Sequence, residues 1–302
     1  MKVTKYAEQP WIRSIGSRTG GNVEWDKLPE DKKPGGRMRQ LFKGTPGQPG
    51  NFEMVVSWSA PTEQVRHYPR HRHDFDQLRM TLAGNPCWTP GNVTPLGCIV
   101  YMAAGTYYGP YDRQEKDEQL HIQFEGANGA PFVSYDELRA ARDTLAKRGT
   151  FEKGMYHWVD EKGERHSMDG HEANAEFATG RKVEYPAPRF ATPITMDPNS
   201  FSWQDVAPGV RYKELACLTE RETRIAMLRL EGRTSYAIPS AEQTRLMFVV
   251  SGEGTAEGQC LEPRDGLMLA EGESGTVSTT DQLELFVLGL PKPASDPGSP
   301  SA

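Results

Sequence analysis

Residues 70–84 read RHRHDFDQLRMTLAG, and this stretch decides how the rest of the 302-residue chain is interpreted. Two histidines, His71 and His73, stand one residue apart; Gln77 follows four residues after His73, and Gly84 seven residues after Gln77. Side chains at alternate positions of a strand share one face, so His71, His73 and Gln77 are predicted to point the same way. In a small barrel that face is the interior. The stretch therefore predicts two imidazoles that converge inside a β-barrel.

This spacing resembles the first motif of the cupin family, in which two histidines one apart are followed by an acid and then a glycine. Residues 97–108, GCIVYMAAGTYY, resemble the second cupin motif, in which a proline-x-glycine turn precedes the last metal histidine. Ala103 stands where the proline would be, and Tyr108 where the histidine would be. The resemblance implies a jelly-roll β-barrel with a small-molecule pocket.

The second half of the chain repeats the first in the same order. Residues 34–41 resemble residues 208–215 at an offset of 174, and residues 78–84 resemble residues 246–252 at an offset of 168. A deletion of about five residues in a loop of the second copy explains the drift, because loops absorb length changes more easily than strands. In the first copy, that loop carries the histidines. The second copy has Pro239, Ala241 and Arg245 near the places of the ligands, so it is predicted to bind no metal.

The predicted fold class is all-β, with two cupin barrels joined by a segment that contains a short helix. The predicted organisation is an N-terminal arm at 1–33, barrel 1 at 34–126, a connection at 127–204, barrel 2 at 205–291 and a disordered tail at 292–302. A capping box at Ser134 to Glu137 and a helical pattern up to Gly149 predict the helix. The rest of the connection is too long and too aromatic for a free linker, so we expect it to pack on the barrels.

Composition excludes several partners. The 35 Lys and Arg residues against 41 Asp and Glu give a net charge of −6 with both signs interspersed, whereas binding to nucleic acid needs a basic surface. No apolar run has the length of a signal peptide or of a membrane span. We therefore expect a cytoplasmic protein that acts on a small molecule, without nucleic acid or membrane partners. A homodimer stays open, because cupin barrels often pair through edge strands.

Two imidazoles on one strand suit a divalent transition metal. The resemblance assigns the metal to His71 and His73, but Gln77 replaces the acidic ligand. A substitute for the third histidine is His121, on a predicted strand whose polar face also holds Gln119 and Gln123. His121 is predicted to complete a neutral three-histidine set, with Gln77 as a weak ligand or an orienting partner. In the family, three neutral imidazoles on ferrous iron imply dioxygenases, so Fe(II) is favoured, with Mn, Ni and Zn as alternatives.

Arg79 and Tyr108 are the predicted catalytic residues. Arg79 continues the face of Gln77 and would bind the carboxylate of an anionic substrate, although a salt bridge on the outer face is an equal alternative. A phenol such as Tyr108 acts as acid or base near a metal or an arginine if its pKa is lowered. Tyr107 is predicted to face the other way.

Three functions stay open on the sequence. The first is a metal-dependent dioxygenase for a small oxygenated organic compound. The second is a metal-dependent lyase or isomerase with a tyrosine base, and the third is a metal-free barrel that binds or senses a small ligand. Of the histidines in the connection, His157, His166 and His171 are expected at a loop surface rather than in a second metal site.

Overall fold

The chain folds into two β-barrels joined by a small mixed domain. The computed structural model describes residues 1–13, 36–46, 48, 50–59, 66–68, 70–113, 116–125, 132–152 and 154–293. Most of the predicted arm and the predicted tail after residue 293 lie outside this part. Lys292, the first residue of the predicted tail, forms ion pairs with Glu222 and Glu242.

The strands before the connection are β1 (Lys2–Thr4), β2 (Ile12–Arg13), β3 (Gly36–Lys43), β4 (Phe52–Ser59), β5 (Arg66–Tyr68), β6 (Asp76–Ala83), β7 (Cys87–Thr89), β8 (Asn92–Val93), β9 (Ile99–Met102), β10 (Tyr111–Arg113) and β11 (Asp117–Phe124). The connection contains α1 (Tyr135–Leu145), β12 (Gly149–Glu152), β13 (Met155–Val159), β14 (Arg165–Asp169), α2 (Gly170–Thr179) and β15 (Ile194–Met196). The remaining strands are β16 (Gln204–Ala207), β17 (Val210–Leu218), β18 (Thr223–Glu231), β19 (Thr234–Ile238), β20 (Arg245–Gly252), β21 (Gly254–Ala256), β22 (Gln259–Leu261), β23 (Gly266–Leu269), β24 (Gly275–Thr279) and β25 (Gln282–Gly289).

The large sheets of the two barrels have the same strand order. Within the described residues, the first runs β15-β9-β6-β11-β4-β3-β2 and the second runs β1-β23-β20-β25-β18-β17-β16. The repeated sequence blocks fall on matching strands. In the first sheet β6 lies between β9 and β11, and in the second β20 lies between β23 and β25. The all-β class with two jelly-roll barrels is confirmed.

The two large sheets pack face to face over one apolar core. On β11, Leu120, Ile122 and Phe124 face this core, which also contains Phe248 and Phe286 of the second sheet. The alternate residues of β11 point the other way, into the first barrel. Strand alternation thus separates an apolar inter-sheet face from a polar barrel face.

The two barrels differ in the polarity of the side chains that fill their interiors. In the first, Arg79 on β6 pairs in register with His121 on β11. In the second, the matching strands pair Met247 with Val287. The interior of the second barrel is a closed aliphatic cluster in which Met247 and Val249 pack against Leu283. The second barrel is therefore filled by its own side chains, and the first holds polar groups.

Each large sheet takes an edge strand from outside the repeated region. Strand β1, at the start of the chain, pairs with β23 of the second barrel. Strand β15, from the connection, pairs with β9 of the first barrel. The boundaries drawn from the repeat leave out both strands.

In its described residues, the connection holds two α-helices and a three-stranded sheet, whereas the sequence predicted one helix. At the predicted start, the Glu137 carboxylate accepts the Ser134 backbone N–H at 2.8 Å, and α1 follows. The second helix, α2, begins after Asp169 and ends at Gly180, whose φ is 66°. The sequence of α2 has few apolar residues at helical spacing, so no helix was predicted there. No helix in the described part is long and apolar enough to cross a membrane.

The shared core predicts a large cost for losing one of its rings. Phe248 is 1% exposed, so Phe248→Ala should lower the free energy of unfolding by about 3–5 kcal/mol, measured by denaturant titration. Phe177, on α2, is 43% exposed, so Phe177→Ala should change the free energy of unfolding by less than about 0.5 kcal/mol. Equal effects of the two substitutions would contradict a common core between the sheets.

Candidate functional site

The polar interior of the first barrel is the candidate site. Strands β6 and β11 turn their polar residues toward it, and the smaller strands opposite add an aromatic wall. The members on β6 and β11 are Gln77, Arg79, Thr81, Gln119, His121 and Gln123. The aromatic wall contains Trp88, Tyr108 and Tyr111. All the predicted site residues on β6 and β11 therefore share this space.

Gln77 organises the centre of the site. Its amide nitrogen donates to the Tyr108 hydroxyl oxygen at 2.8 Å, and its amide oxygen accepts from Arg79 at 3.3 Å. The same oxygen lies 3.2 Å from Nε2 of His121, so a neutral His121 carries its proton on Nε2. Nδ1 of His121 then accepts from the Tyr135 hydroxyl at 3.0 Å. Both ring nitrogens of His121 are thus engaged with protein partners.

Arg79 lies on the interior face, not on the outer face. Its guanidinium carbon is 4.2 Å from the centre of the Trp88 ring. Its Nε is buried without a hydrogen-bond partner, and no carboxylate of the described residues lies within 4.0 Å of it. The Gln77 amide offers only a neutral acceptor. The barrel interior therefore presents a positive charge that no carboxylate of the described residues neutralises, and such a charge attracts an anion.

The two motif histidines lie just before β6, which begins at Asp76, so they are not on the same strand as Gln77 as predicted. Instead, an isolated bridge holds His71 opposite Tyr108, with both backbone N–H···O distances at 3.0 Å. Their ring centroids are 4.2 Å apart. This bridge places Tyr108 beside the motif histidine.

The two neighbouring tyrosines face opposite ways. Tyr108 is 2% exposed, whereas Tyr107 is 37% exposed. At the surface, the Tyr107 ring lies against the guanidinium groups of Arg70 and Arg72, with the carbons 4.2 and 4.8 Å from the ring centre. Only Tyr108 can therefore take part in chemistry inside the barrel.

His73 meets an imidazole that comes from the connection. Its ring stacks on Phe75 with centroids 4.6 Å apart and lies 5.4 Å from the ring of His71. The ring of His171, on α2, is 4.6 Å from that of His73 and nearly perpendicular to it, at 82°. Nδ1 of His73 and Nε2 of His171 are buried and have no hydrogen-bond partner among the described residues. The expectation that His171 lies on a loop surface is wrong.

Burial favours the neutral form of His73 and His171 by lowering the pKa of each. Burial is the largest cause that lowers the pKa of His73, and the neighbouring His171 and His71 lower it further. Burial also lowers the pKa of His171, against an opposing effect of Asp169. Neutral imidazoles offer a lone pair, which is the form that binds a metal. These side chains therefore have the chemistry of ligands for a divalent transition metal.

Sequence reasoning missed Tyr135 and the position of His171. Both side chains lie in the first turn of a helix that packs on the barrel. Tyr135 follows the capping box, and its backbone N–H donates to the buried carboxylate of Glu53 at 2.8 Å. Burial raises the pKa of Glu53 to about 7. For α2, the available signal was Asp169, an N-cap residue two positions before His171.

A second group of possible ligands lies elsewhere, on the turn between β13 and β14. Asp160, Glu164 and His166 are the one set of three or more such residues in the described ranges whose donor atoms all lie within 4.8 Å. Asp160 accepts backbone N–H bonds from Lys162 and Glu164, so it also shapes the turn. Donor nitrogens of the histidines in the barrel are spread more widely than this limit.

No protein-family model and no curated protein matches the sequence. Solved structures do match. A candidate dioxygenase from Nostoc punctiforme has a TM-score of 0.55 at 12% identity, covering 98% of this chain and 87% of that one. Streptomyces albus HEPD, solved with 2-hydroxyethylphosphonate and Fe(II), has a TM-score of 0.52 at 14% identity, covering 100% of this chain and 82% of that one. A Bacillus subtilis oxalate decarboxylase with Mn(II) centres has a TM-score of 0.50 at 13% identity, covering 87% of this chain and 74% of that one. At such identities the likeness concerns the fold.

The uncompensated charge of Arg79 predicts that a variant keeps its stability and loses anion binding. Arg79→Met copies the residue at the matching position of the second barrel, Met247, and removes a buried charge, so the melting temperature should stay the same or rise. Small dicarboxylates and phosphonates should stabilise the wild type against heat, because they bind the folded state. They should not stabilise Arg79→Met.

The control for this prediction is Arg233→Met, which changes an exposed arginine of the second barrel. It should keep the anion-dependent rise in melting temperature. If Arg79→Met also keeps that rise, the anion binds elsewhere.

Proposed function

Because the chain has the two-barrel fold of the bicupins, we propose that it is a metal-dependent enzyme that acts on a small, anionic, oxygenated organic compound. The reaction takes place in the first barrel, and a dioxygenase is the favoured class. The observation that carries the proposal is the contrast between the barrels. Where the second is filled by aliphatic side chains, the first contains His73 and Arg79, each with a buried nitrogen that has no hydrogen-bond partner among the described residues.

His71 and His73 are the proposed ligands of a divalent metal, with Fe(II) favoured and Mn, Ni or Zn as alternatives. When bound, such an ion supplies oxygen activation or polarises an oxygen of the substrate. Gln77 is proposed to orient the site, because its amide already contacts Arg79, Tyr108 and His121. The sequence also predicted His121 as a ligand. In that role it would have to leave its partner Gln77, so we propose it mainly as the support of the Gln77 amide.

Arg79 is proposed to bind the anionic group of the substrate. Its position against Trp88 and its bond to Gln77 fix the guanidinium before the substrate arrives, which lowers the ordering cost of binding. The solved relatives are consistent with this class, since HEPD was solved with a phosphonate and Fe(II) and the oxalate decarboxylase with Mn(II). Their low identity leaves the reaction itself open.

Tyr108 supports a second candidate function, a metal-dependent lyase or isomerase. The Tyr108 oxygen accepts a hydrogen bond from Gln77 at 2.8 Å, and the Tyr108 ring lies beside His71. Because Gln77 also contacts Arg79, a substrate bound to Arg79 would lie near the Tyr108 hydroxyl. In the dioxygenase, Tyr108 would donate a hydrogen bond to the substrate. In the lyase or isomerase, it would remove a proton.

Metal analysis tests the proposal most directly. Protein purified without chelators should contain close to one divalent ion per chain by elemental analysis, and His71→Ala and His73→Ala should lose most of it while melting near the wild-type temperature. His157→Ala, which changes an exposed histidine of the connection, should keep it. A metal-free wild type that still binds small anions would favour the binding or sensor barrel.

Tyr108→Phe tests the role of the hydroxyl while it keeps the ring. Turnover of the small carboxylate or phosphonate that the wild type converts should fall by about two to four orders of magnitude, because proton transfer by a positioned group contributes that much. Oxygen consumption and product formation measure it. Tyr107→Phe is the control, since its ring lies at the surface, and it should retain wild-type turnover. Full activity of Tyr108→Phe with a lower melting temperature would assign the hydroxyl a structural role alone, as the acceptor of the hydrogen bond from Gln77.

A further inference from the structure

The first barrel provides fewer ligands than a stable metal site needs. His71 and His73 are present, but Tyr108 occupies the place of the third motif histidine. His121 has both ring nitrogens engaged, with Gln77 and with Tyr135. Three protein ligands are usual for a catalytic metal that keeps an open position. A third donor must therefore come from outside the two motifs of the barrel, residues 70–84 and 97–108.

His171 has the position and the chemical state of such a donor. Its ring is 4.6 Å from that of His73, and its Nε2 is buried without a hydrogen-bond partner among the described residues. Nδ1 of His73 is in the same condition. A buried polar atom without a partner costs about 1–3 kcal/mol, and an aliphatic or phenyl side chain would pack in that place without this cost. Each of the two nitrogens thus lacks a partner that a metal ion would supply. The donor atoms of His71, His73 and His171 do not all lie within 4.8 Å of one another, so the three side chains must move closer together to share one ion.

The backbone around His171 is held in place by several contacts. The Asp169 carboxylate accepts the N–H groups of His171 and Glu172 at 2.7 and 3.1 Å, which fixes the start of α2. The N–H of Gly170 donates to the Gly154 carbonyl at 2.7 Å, and a Cβ on Gly170 would come within 2.8 Å of that oxygen. This close approach needs glycine at the position before His171. The helix therefore presents the imidazole from a fixed point.

Building on the proposed function, we propose that His171 is the third protein ligand of the metal. The connection then completes the active site of the first barrel, in a position that neither motif of the barrel supplies. Three neutral imidazoles leave the full charge of a divalent ion in place. Together with Arg79, that charge selects substrates with a carboxylate or phosphonate group over neutral ones.

Zinc affinity and a cobalt spectrum test this role without any assay of activity. Full-length protein is stripped of metal and titrated with Zn²⁺ in competition with a chromophoric chelator. His171→Ala should weaken zinc binding by more than about 100-fold, since loss of an orienting partner alone costs about 10–100-fold. His157→Ala, in the same connection, should bind as the wild type does. In the Co²⁺-loaded protein, His171→Cys should show a sulfur-to-cobalt charge-transfer band that the wild type lacks.

Each outcome has a defined meaning. If His171→Ala binds zinc as tightly as His157→Ala does, or if His171→Cys shows no charge-transfer band, the ligand role of His171 is overturned. Loss of zinc from His71→Ala and His73→Ala in that case leaves the proposed function standing. A wild type that binds no zinc overturns both. Should His171→Ala fail to fold, as shown by its thermal melt, the spectrum of His171→Cys decides.

Discussion

The apolar core between the two large sheets is the constraint on which the rest of the structure depends. Each sheet gives one full face to it, with Phe248 and Phe286 from the second sheet packed against Leu120 and Ile122 from the first. Burial of apolar surface is the main stabilising contribution in such folds. Because this contribution comes from outside the first barrel, the interior of that barrel does not have to be apolar. The second barrel keeps an aliphatic interior and adds stability.

The same arrangement explains how polar groups are kept in order inside the first barrel. The connection packs the start of both of its helices on the barrel, and each start contributes one side chain, Tyr135 or His171. The buried carboxylate of Glu53 accepts the backbone N–H of Tyr135, which ties the first helix to β4. The Tyr135 hydroxyl donates to His121, and the Gln77 amide oxygen then links His121 to Arg79. The site is therefore assembled from two independent parts of the chain.

Local patterns in the sequence predicted the parts of this design that depend on strand alternation. The buried polar face of Gln77, Arg79 and His121 follows from a period of two, and the two similar barrels follow from the repeat. The pattern failed for the histidine pair, because the strand begins only at Asp76 and a bridge to Tyr108 holds His71 instead. It also failed for His171, which reaches His73 through a contact far along the chain. Such tertiary contacts leave no periodicity in either segment.

The pairing of β1 with β23 has a consequence for the order in which the molecule folds. Residues 2–4 pair with residues 266–268 of β23, so the two strands of this pair are separated by almost all of the described sequence. Lys5 and the backbone of Tyr6 are likewise bound to Asp265. These contacts therefore join segments that are far apart in the sequence. Contacts of such long sequence separation form slowly, so the closing of this strand is a late event in folding, and until then β23 has an open edge.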